Sequence, residues 1–484
     1  MSPATEGIKG YREKSLQMIS QAAVSIGDLI NIKTSKSEFT GILMPRYESA
    51  DKNYIVIKLK SGYNIGIKTA EIQSISKVVP QDSGQNLASG ILSSSVKAKT
   101  TTSNVELMHE DFQKSKAAEE MKLLPKIGLI STGGTIASKI DYRTGGVRAA
   151  LSAAELYESV PELAKYAIIE PEVVLSEYSE NLKPEHWTLI AKKVNEKLRS
   201  DKYQGIIISH GTDTMHYTAS ALSFALQNLP VPVVLVGAQR SSDRPSSDAA
   251  INLVGATIFA VKSEFTGVFV AMHASSSDDV IACHIGTRVR KNHTSRRDAF
   301  ESISTKPVAI INGDTVEMQA GWPEVKMQKR KNDNNNNNNN SMHKDFLIKP
   351  DFDSKAALLK YHPGFEPELI SHVVTSGHKA IVLEGTGLGH ISRECFPQIR
   401  NAIESGVMVF MTSQCIWGRT KMTVYDTGRD LLNMGVIPLS DMISETAVVK
   451  AMWVLANSNN SIEYAKILMQ KNIANEMSAA TPIS

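Results

Sequence analysis

The chain of 484 residues contains little cysteine, and this excludes two common kinds of small scaffold. Its three cysteines, Cys283, Cys395 and Cys415, are far apart and form no CxxC pair. Disulfide frameworks and structural zinc sites both require cysteines, or cysteines and histidines, in close groups. We therefore predict neither kind of site, and we expect the protein to occupy a reducing compartment.

Long apolar runs and a strong charge imbalance are also missing. No segment approaches the ~18 uninterrupted apolar residues that a membrane span requires, and the first residues, MSPATEGIKGYREKS, contain no apolar run after a charge. The net charge of +3 and the pI near 8.5 are too mild to indicate a nucleic-acid-binding protein. These features predict a cytoplasmic protein that does not contact a membrane.

The N-terminal region has the alternation of short β-strands. Residues 24–76 contain GDLINIKT, FTGILMPRYE and YIVIKLKSGYNIGIK, in which apolar and polar positions alternate between turn residues. We predict a small antiparallel β-barrel domain over residues 1–80. Residues 81–120 are rich in Ser, Gln, Asn and Thr and lack a sustained period, which predicts a linker.

From Lys126 onwards, strand and helix patterns alternate, which predicts an α/β fold with parallel sheets. One series contains KIGLIS, GIIIS and PVVLV, and a second contains AALLKYH, AIVLEG and VMVFMTS. The asparagine-rich segment KRKNDNNNNNNNSMHKD separates them and predicts a solvated loop. The predicted domains are residues 121–315 and 351–484, joined by an interdomain linker over residues 316–350.

Two glycine-containing, hydroxyl-rich turns follow predicted strands, STGGTIA at 131–137 and HGTDT at 210–214. Ligands of open α/β sheets bind beyond the carboxyl ends of the strands, and helix N-termini there favour negative groups. The turns therefore predict a site for a polar ligand that carries a carboxylate. An alternative for Asp213 and Thr214 is simple helix capping.

The segment RVRKNHTSRRD at 288–298 allows two interpretations. Its basic and hydroxyl side chains are typical of a surface patch for phosphate or RNA. Alternatively, its lysine, Lys291, is the base that a threonine nucleophile needs, because a threonine hydroxyl is inert until a neighbour takes its proton. We interpret His210 and His216 as structural histidines, since they have no partner at metal-ligand spacing. GTGLG at 385–389 lacks the GxGxxG spacing and predicts a structural loop.

TGGTIA, HGTDTM and the Lys291 segment resemble the signature segments of bacterial-type L-asparaginases. SEYSENLKPEHW, VGAQRSSDRPSSDAA, EGTGLGH and SQCIWGRTKMTVYDTGR, preceded by a small barrel, resemble the GatD family of asparaginase-like subunits of archaeal Glu-tRNA(Gln) amidotransferases. The resemblance implies an asparaginase-like two-domain parallel-sheet architecture preceded by a small all-β barrel.

Carried over residue by residue, the resemblance implies catalytic and substrate-binding roles. Thr135 is the expected nucleophile, assisted by Tyr142 on the loop after TGGTIA. The other expected catalytic residues are a second threonine, an orienting carboxylate and a proton-accepting amine, namely Thr212, Asp213 and Lys291. Ser179 and Glu180 are expected to hold the α-carboxylate and α-amino groups of a free amino acid.

The resemblance also implies the function and the partners. A glutaminase subunit would take ammonia from L-glutamine, or from L-asparagine, without a metal or cofactor of its own. A GatE-type partner would use ATP and Mg²⁺ to activate Glu-tRNA(Gln), and the chain would form a homodimer within a heterotetramer. The alternatives are a stand-alone L-asparaginase and an RNA-binding or assembly protein that uses the barrel and the 288–298 segment.

Overall fold

A computed structural model of the chain describes most of its residues. The described residues are 11–35, 37–44, 46, 51–59, 64–78, 123–133, 138–140, 147–149, 160–200, 202–240, 247–276, 280–319, 328–330 and 345–479. Thr135 and Tyr142 lie outside the described residues, as do the predicted linker at 81–120 and the asparagine run at 334–340. The chain divides into two compact units. One comprises Met1–Leu124, Lys139–Arg148 and Asp243–Ser246, and the other comprises Pro125–Ser138, Ala149–Ser242 and Ser247–Ser484.

The first unit contains a helix followed by a five-stranded antiparallel sheet in the order β4-β3-β2-β1-β5. Its elements are α1 (Glu13–Gln21), β1 (Leu29–Thr34), β2 (Glu38–Leu43), β3 (Tyr54–Leu59), β4 (Asn64–Lys68) and β5 (Ile72–Lys77). Ile30 and Ile32 of β1 are fully buried while Leu29 and Lys33 are exposed, as a two-residue period requires. The antiparallel sheet is confirmed, whereas α1 was not expected from the sequence.

The second unit opens with a large mixed sheet in the order β18-β17-β14-β13-β12-β10-β6-β9. Strands β9, β6, β10, β12 and β13 are parallel, and β14, β17 and β18 continue the sheet in antiparallel fashion. The strands that follow along the chain are β6 (Lys126–Ser131), β7 (Ser138–Ile140), β8 (Val147–Ala149), β9 (Ile168–Val173), β10 (Gly205–Ser209), β11 (Leu226–Gln227), β12 (Pro232–Val236), β13 (Phe265–His273), β14 (Val280–Ile285), β15 (Val289–Lys291), β16 (Phe300–Ser302), β17 (Ala309–Asn312), β18 (Thr315–Met318), β19 (Gln328–Lys329) and β20 (Leu347–Ile348). Most of β7 and β8 belongs to the first unit.

The parallel part of this sheet confirms the expected α/β fold, while the antiparallel edge was not expected. The edge arises because β14 and β17 pair directly with the strand before them in space, without a crossover helix. Smaller two-stranded sheets pair β7 with β8, β11 with β20 and β15 with β16, and β19 adds to β13.

Helices cover both faces of the large sheet. They are α2 (Pro184–Ser200), α3 (Met215–Ala225) and α4 (Ala249–Lys262). One hydrophobic core contains Leu253, Ala256 and Phe259 of α4, and another contains the apolar residues of α2 and α3, including Ile190 and Leu222. The central strands β10 and β12 are buried along their whole length, as expected for strands packed on both faces.

A second, smaller sheet is parallel in the order β21-β22-β23-β24. Its strands are β21 (Ala356–Lys360), β22 (Ala380–Gly385), β23 (Met408–Ser413) and β24 (Ile437–Pro438), and its helices are α5 (Glu368–Thr375), α6 (Phe396–Glu404), α7 (Asp426–Met434), α8 (Ser444–Asn457) and α9 (Ile462–Gln470). A shared core joins this region to the preceding one, because Trp453 and Val449 of α8 cluster with Phe224 of α3.

Throughout the described residues, no helix has both the length and the apolar character that would let it cross a membrane. The cysteines are free thiols, of which Cys283 and Cys395 are buried.

Candidate active site

The first residues of STGGTIA, Ser131 to Gly133, lie beside the HGTDT turn at the carboxyl edge of the large sheet. Strands β6 and β10 are adjacent and parallel, and Ser131 pairs with Ser209 at their ends. Beyond this pair, the backbone N–H of Thr132 donates to Ser209 O at 3.1 Å, and its hydroxyl donates to the same oxygen at 2.9 Å. The turn that leads to Thr135 is therefore anchored beside the turn that carries Thr212 and Asp213.

Glycines allow the chain segments at this edge to approach each other closely. Gly133 has a φ of +114°, and a Cβ there would lie 2.2 Å from Glu177 O. A Cβ at Gly211 would lie 2.9 Å from Ser179 Oγ. Any side chain at either position would push away the segment around residues 177–179, so both turns require glycine.

Lys291 makes the contacts that define the site. It ends β15, and its Nζ donates to Thr212 Oγ1 at 2.8 Å and to Asp213 Oδ1 at 2.7 Å. The Lys291 side chain is only 9% exposed, whereas that of Asp213 is 67% exposed. The amine is thus enclosed by the protein, and its carboxylate partner faces solvent. Three of the four expected catalytic residues are therefore in direct contact.

The neighbouring arginines of the 288–298 segment are engaged within the protein. Arg288 is 1% exposed, and its Nη1 pairs with Asp441 Oδ2 at 2.9 Å. Arg290 Nε pairs with Glu445 Oε1 at 2.6 Å. The interpretation of Arg288 as part of a phosphate-binding or RNA-binding surface patch is wrong, because this side chain is buried, whereas for Arg290, which is 30% exposed, it stays untested. Both guanidinium groups attach the β15 segment to the C-terminal region. They hold the strand that carries Lys291.

The capping interpretation of the second turn is also wrong for its side chains. Thr214 occupies the N-cap position of α3, yet its side chain makes no capping hydrogen bond. Its hydroxyl instead donates to Ser179 O at 2.7 Å, and Asp213 accepts from Lys291. The polar side chains of this turn are directed to the site and to the segment that borders it.

Ser179 and Glu180 begin a single turn of 3-10 helix over Ser179–Asn181. Ser179 is 5% exposed and lies against Gly211, while Glu180 is exposed. The structure thus brings Ser179 to the edge of the turn that carries Thr212. Thr135 and Tyr142, the two remaining expected residues, lie outside the described residues.

One residue at this site was missed by the sequence interpretation. Gly237 follows β12, and a Cβ there would lie 2.8 Å from Thr212 Cγ2 and 2.8 Å from His210 O. The signal for it was present, since a glycine comes directly after the buried strand PVVLV. Strand β12 lies next to β10, so its end lies at the same edge as the two turns.

His210 has the surroundings of a structural histidine. Its Nδ1 donates to Gly211 O at 2.6 Å, and its Nε2 accepts from Thr218 Oγ1 at 2.8 Å. Burial lowers the pKa of His210 to about 4, although the bond to Gly211 opposes this shift, so the ring is neutral at neutral pH. Trp187 Nε1 donates to Thr218 Oγ1 at 3.2 Å and completes this chain of hydrogen bonds. The network supports the backbone of the second turn.

The other motifs considered from the sequence also have local structural roles. His216 is buried and packs against Tyr217, with ring centroids 4.6 Å apart. The GTGLG segment forms a tight turn after β22, in which Thr386 N donates to His390 O at 2.9 Å. Within the part of the chain that the structure describes, no group of His, Cys, Asp or Glu side chains has the arrangement of a metal site.

Family models match three parts of the chain. The asparaginase N-terminal model matches residues 126–324, the glutaminase/asparaginase C-terminal model matches residues 355–468, and the GatD N-terminal model matches residues 24–78. The GatD subunit of the glutamyl-tRNA(Gln) amidotransferase of Pyrococcus furiosus is 44% identical over 469 residues, which cover 96% of this chain and 98% of that protein. The chain belongs to the GatD family of glutamyl-tRNA(Gln) amidotransferase subunits.

Other relatives agree in name and extent. The GatD subunit of Thermococcus kodakarensis is 42% identical over 97% of this chain and 98% of its own length. That of Metallosphaera sedula is 40% identical over 97% of this chain and 96% of its own length. Among solved structures, the thermostable L-asparaginase from Thermococcus kodakarensis is similar, with 33% identity, a TM-score of 0.62 and coverage of 73% of this chain and 100% of that one. L-asparaginase I from Vibrio cholerae follows with 28% identity, a TM-score of 0.61 and coverage of 73% and 99%.

Proposed function

We propose that this chain releases ammonia from the side-chain amide of L-glutamine as the glutaminase subunit of a tRNA-dependent amidotransferase. The observation that carries the proposal is the contact of Lys291 Nζ with Thr212 Oγ1 and Asp213 Oδ1. An amine held between a hydroxyl and a carboxylate is equipped to move a proton to and from that hydroxyl. Neither capping nor surface binding requires this arrangement.

The proposed reaction has two steps, with Thr135 as the nucleophile. Its hydroxyl oxygen forms a bond to the amide carbon, the carbon–nitrogen bond breaks, and the hydroxyl proton leaves with the nitrogen as ammonia. Water then attacks the acyl-threonine and releases the free side-chain carboxyl group. In the second step, Lys291 takes a proton from the attacking water through Thr212, and Asp213 stabilises the ammonium group that results. The bond between the Thr135 oxygen and the acyl carbon then breaks, and the proton passes to that oxygen, which restores the Thr135 hydroxyl and the free amine of Lys291. Ser179 and Glu180 hold the α-carboxylate and α-amino groups, and Tyr142 assists Thr135.

The fate of the ammonia distinguishes an amidotransferase from a simple hydrolase. In the proposal, a GatE-type partner uses ATP and Mg²⁺ to convert Glu-tRNA(Gln) to γ-phosphoryl-Glu-tRNA(Gln), an acyl phosphate, with release of ADP. Ammonia then displaces phosphate to give Gln-tRNA(Gln). Support comes from relatives named as subunits of this amidotransferase that match over 96–98% of their length, and from the match of residues 24–78 to the GatD N-terminal domain. The proposed assembly contains two copies of this chain and two copies of the partner.

The test is ammonia release from Gln and from Asn, measured with the purified chain alone and then with the GatE-type partner, ATP and Glu-tRNA(Gln). Weak activity alone that rises with Gln only when all additions are present supports the proposal. Full activity on Asn that does not change when the partner, ATP and Glu-tRNA(Gln) are added would identify a stand-alone L-asparaginase. The similarity to solved L-asparaginases makes this the second candidate. Lys291→Met is the negative control for contaminating amidases.

A further inference from the structure

The turn that follows β12 is held by a buried carboxylate. Asp248 is fully buried, and its two carboxylate oxygens accept the backbone N–H groups of Gln239 at 3.0 Å and Arg240 at 2.9 Å. Ser247 adds to this connection, because its hydroxyl donates to Arg240 O at 2.8 Å. The residues directly before α4 therefore hold the backbone of the turn after β12 by hydrogen bonds.

The same carboxylate continues into a buried network of three elements. Asn252 Nδ2 donates to Asp248 Oδ2 at 3.0 Å and to Gly237 O at 2.9 Å. His273, the last residue of β13, donates from Nδ1 to Asn252 Oδ1 at 2.5 Å. Burial lowers the pKa of His273, against the opposing effect of Asp248, so the ring is a neutral donor. The network thus fixes the backbone at both ends of the segment Gly237–Arg240.

Helix capping does not explain Asp248. It stands immediately before α4, where an aspartate often caps, but its side chain makes no capping hydrogen bond to the backbone of that helix. Asn252 and His273 are also 0% exposed. Burying three polar side chains costs free energy that only complete hydrogen bonding offsets. Their hydrogen bonds converge on one turn, which indicates that the position of this turn matters.

The held turn forms a wall of the candidate active site. The Cα of Gly237 lies so close to Thr212 that an added Cβ would be 2.8 Å from Thr212 Cγ2. The methyl group of Thr212 therefore rests on the backbone of Gly237, while its hydroxyl accepts from Lys291 Nζ at 2.8 Å. A shift of Gly237 would release the methyl group and rotate the hydroxyl away from the amine.

We infer that Asp248 is a positioning residue that acts through Gly237 on Thr212. It holds Gly237 at the distance that orients the Thr212 hydroxyl towards Lys291. This inference rests on the proposed function, because it assigns Thr212 and Lys291 to proton transfer. It predicts that Asp248 affects turnover without contributing to substrate affinity.

The test compares Asp248→Asn with Asp353→Asn in the complete complex. Asp353 also accepts a backbone N–H group, that of Lys355 at 2.9 Å, and it pairs with Lys379, but these contacts lie beside the start of β21 rather than at the turn beside Thr212. We expect Asp248→Asn to lower kcat for glutamine about 10- to 100-fold, with KM within about twofold of wild type, as a misplaced catalytic group does. Asp353→Asn lowers the melting temperature and leaves kcat unchanged.

A second pair of variants keeps the inference testable if Asp248→Asn does not fold. Gly237→Ala is expected to lower kcat by at least a similar factor, because its Cβ would lie 2.8 Å from Thr212 Cγ2, 2.8 Å from His210 O and 2.5 Å from Met215 Cε. In a Thr212→Ser background the loss is expected to be smaller, because the contact with the methyl group is removed while the other two remain. A folded Asp248→Asn variant with wild-type kcat, or equal losses from Gly237→Ala in both backgrounds, would overturn the inference. Failure of the wild-type complex to release ammonia would instead overturn the proposed function.

Discussion

At the scale of single residues, the hydroxyl of Thr212 is expected to be essential because it is the group that Lys291 contacts. Thr212→Val keeps the shape of the side chain and removes the hydroxyl. We expect ammonia release to fall by about 10²- to 10⁴-fold, the usual contribution of positioned acid–base groups. Thr257→Val is the matched control, since that buried hydroxyl donates to Leu253 O within α4. Initial rates for both variants check the prediction, and equal activity of the two would refute it.

His284 is expected to make the protein less stable in mild acid. Burial lowers the pKa of His284 to about 4, whereas an unfolded histidine titrates near 6.5. As the pH falls below about 6.5, the unfolded state binds a proton that the folded state does not, so stability is lost progressively down to about pH 4. Each pKa unit corresponds to about 1.4 kcal/mol.

The variant His284→Gln isolates this effect. The side chain lies in the core with Nδ1 bonded to Ser302 Oγ at 2.8 Å. We expect the variant to be less stable than wild type at pH 7 but to lose less stability between pH 6.5 and 4.5. Urea unfolding at both pH values measures the difference, and identical pH slopes in the two proteins would contradict the assignment.

At the scale of elements, a buried ion pair between Arg288, directly before β15, and Asp441, shortly before α8, also binds the segment after α9. Arg288 pairs with Asp441, its Nε donates to Asn475 O at 2.7 Å, and Ser478 donates to the same carboxylate. The two charged side chains are each 2% exposed. Removing one partner of such a pair leaves an uncompensated buried charge, which costs about 3–5 kcal/mol.

Asp441→Asn is therefore expected to destabilise the protein by about 3–5 kcal/mol. The matched control is Asp426→Asn, which breaks the exposed pair with Arg393, where the side chains of Arg393 and Asp426 are 60% and 78% exposed. An exposed pair contributes about 0–1 kcal/mol. Chemical denaturation of both variants decides the matter, and a loss of less than about 1 kcal/mol for Asp441→Asn would show that Arg288 finds another partner.

At the scale of the whole molecule, each of the two units has a hydrophobic core of its own. The core of the first unit is built from residues such as Ile19, Ile32 and Ile57. The second unit has separate clusters, which contain no described residue before Ile127. The domain boundaries near residues 80 and 120 stay a prediction, but an internal core is what an independently folding domain requires.

We expect fragments of residues 1–80 and 121–484 each to fold when expressed alone. Circular dichroism and cooperative urea unfolding would show this for both fragments. The larger fragment is also expected to release ammonia from glutamine, because Thr135, Thr212, Asp213 and Lys291 all lie within it. A larger fragment that is folded but inactive would show that residues 1–120 are needed for the chemistry.

The sequence alone determined the features that depend on short-range patterns. Alternating burial in β1 and the continuous apolar runs of β10 and β12 follow from local periodicity, so the antiparallel sheet and the α/β series were predictable. Lys291 and the second turn were selected through motif resemblance, and the structure places them in contact. The short helix α1 and the antiparallel edge of the large sheet were missed. Their local sequence patterns are weak, and tertiary packing decided their structure.

Only the tertiary structure decided which charges and polar groups meet. Arg288 and Arg290 look like surface cations in the sequence, yet each forms an ion pair with a carboxylate about 150 residues away along the chain. Asp248 stands directly before α4, yet its oxygens accept backbone N–H groups from the turn after β12. Hydrogen bonds and ion pairs act over about 3 Å in space and carry no signal along the chain. Local periodicity therefore determined the elements, and the packing of distant segments determined the partners of their polar side chains.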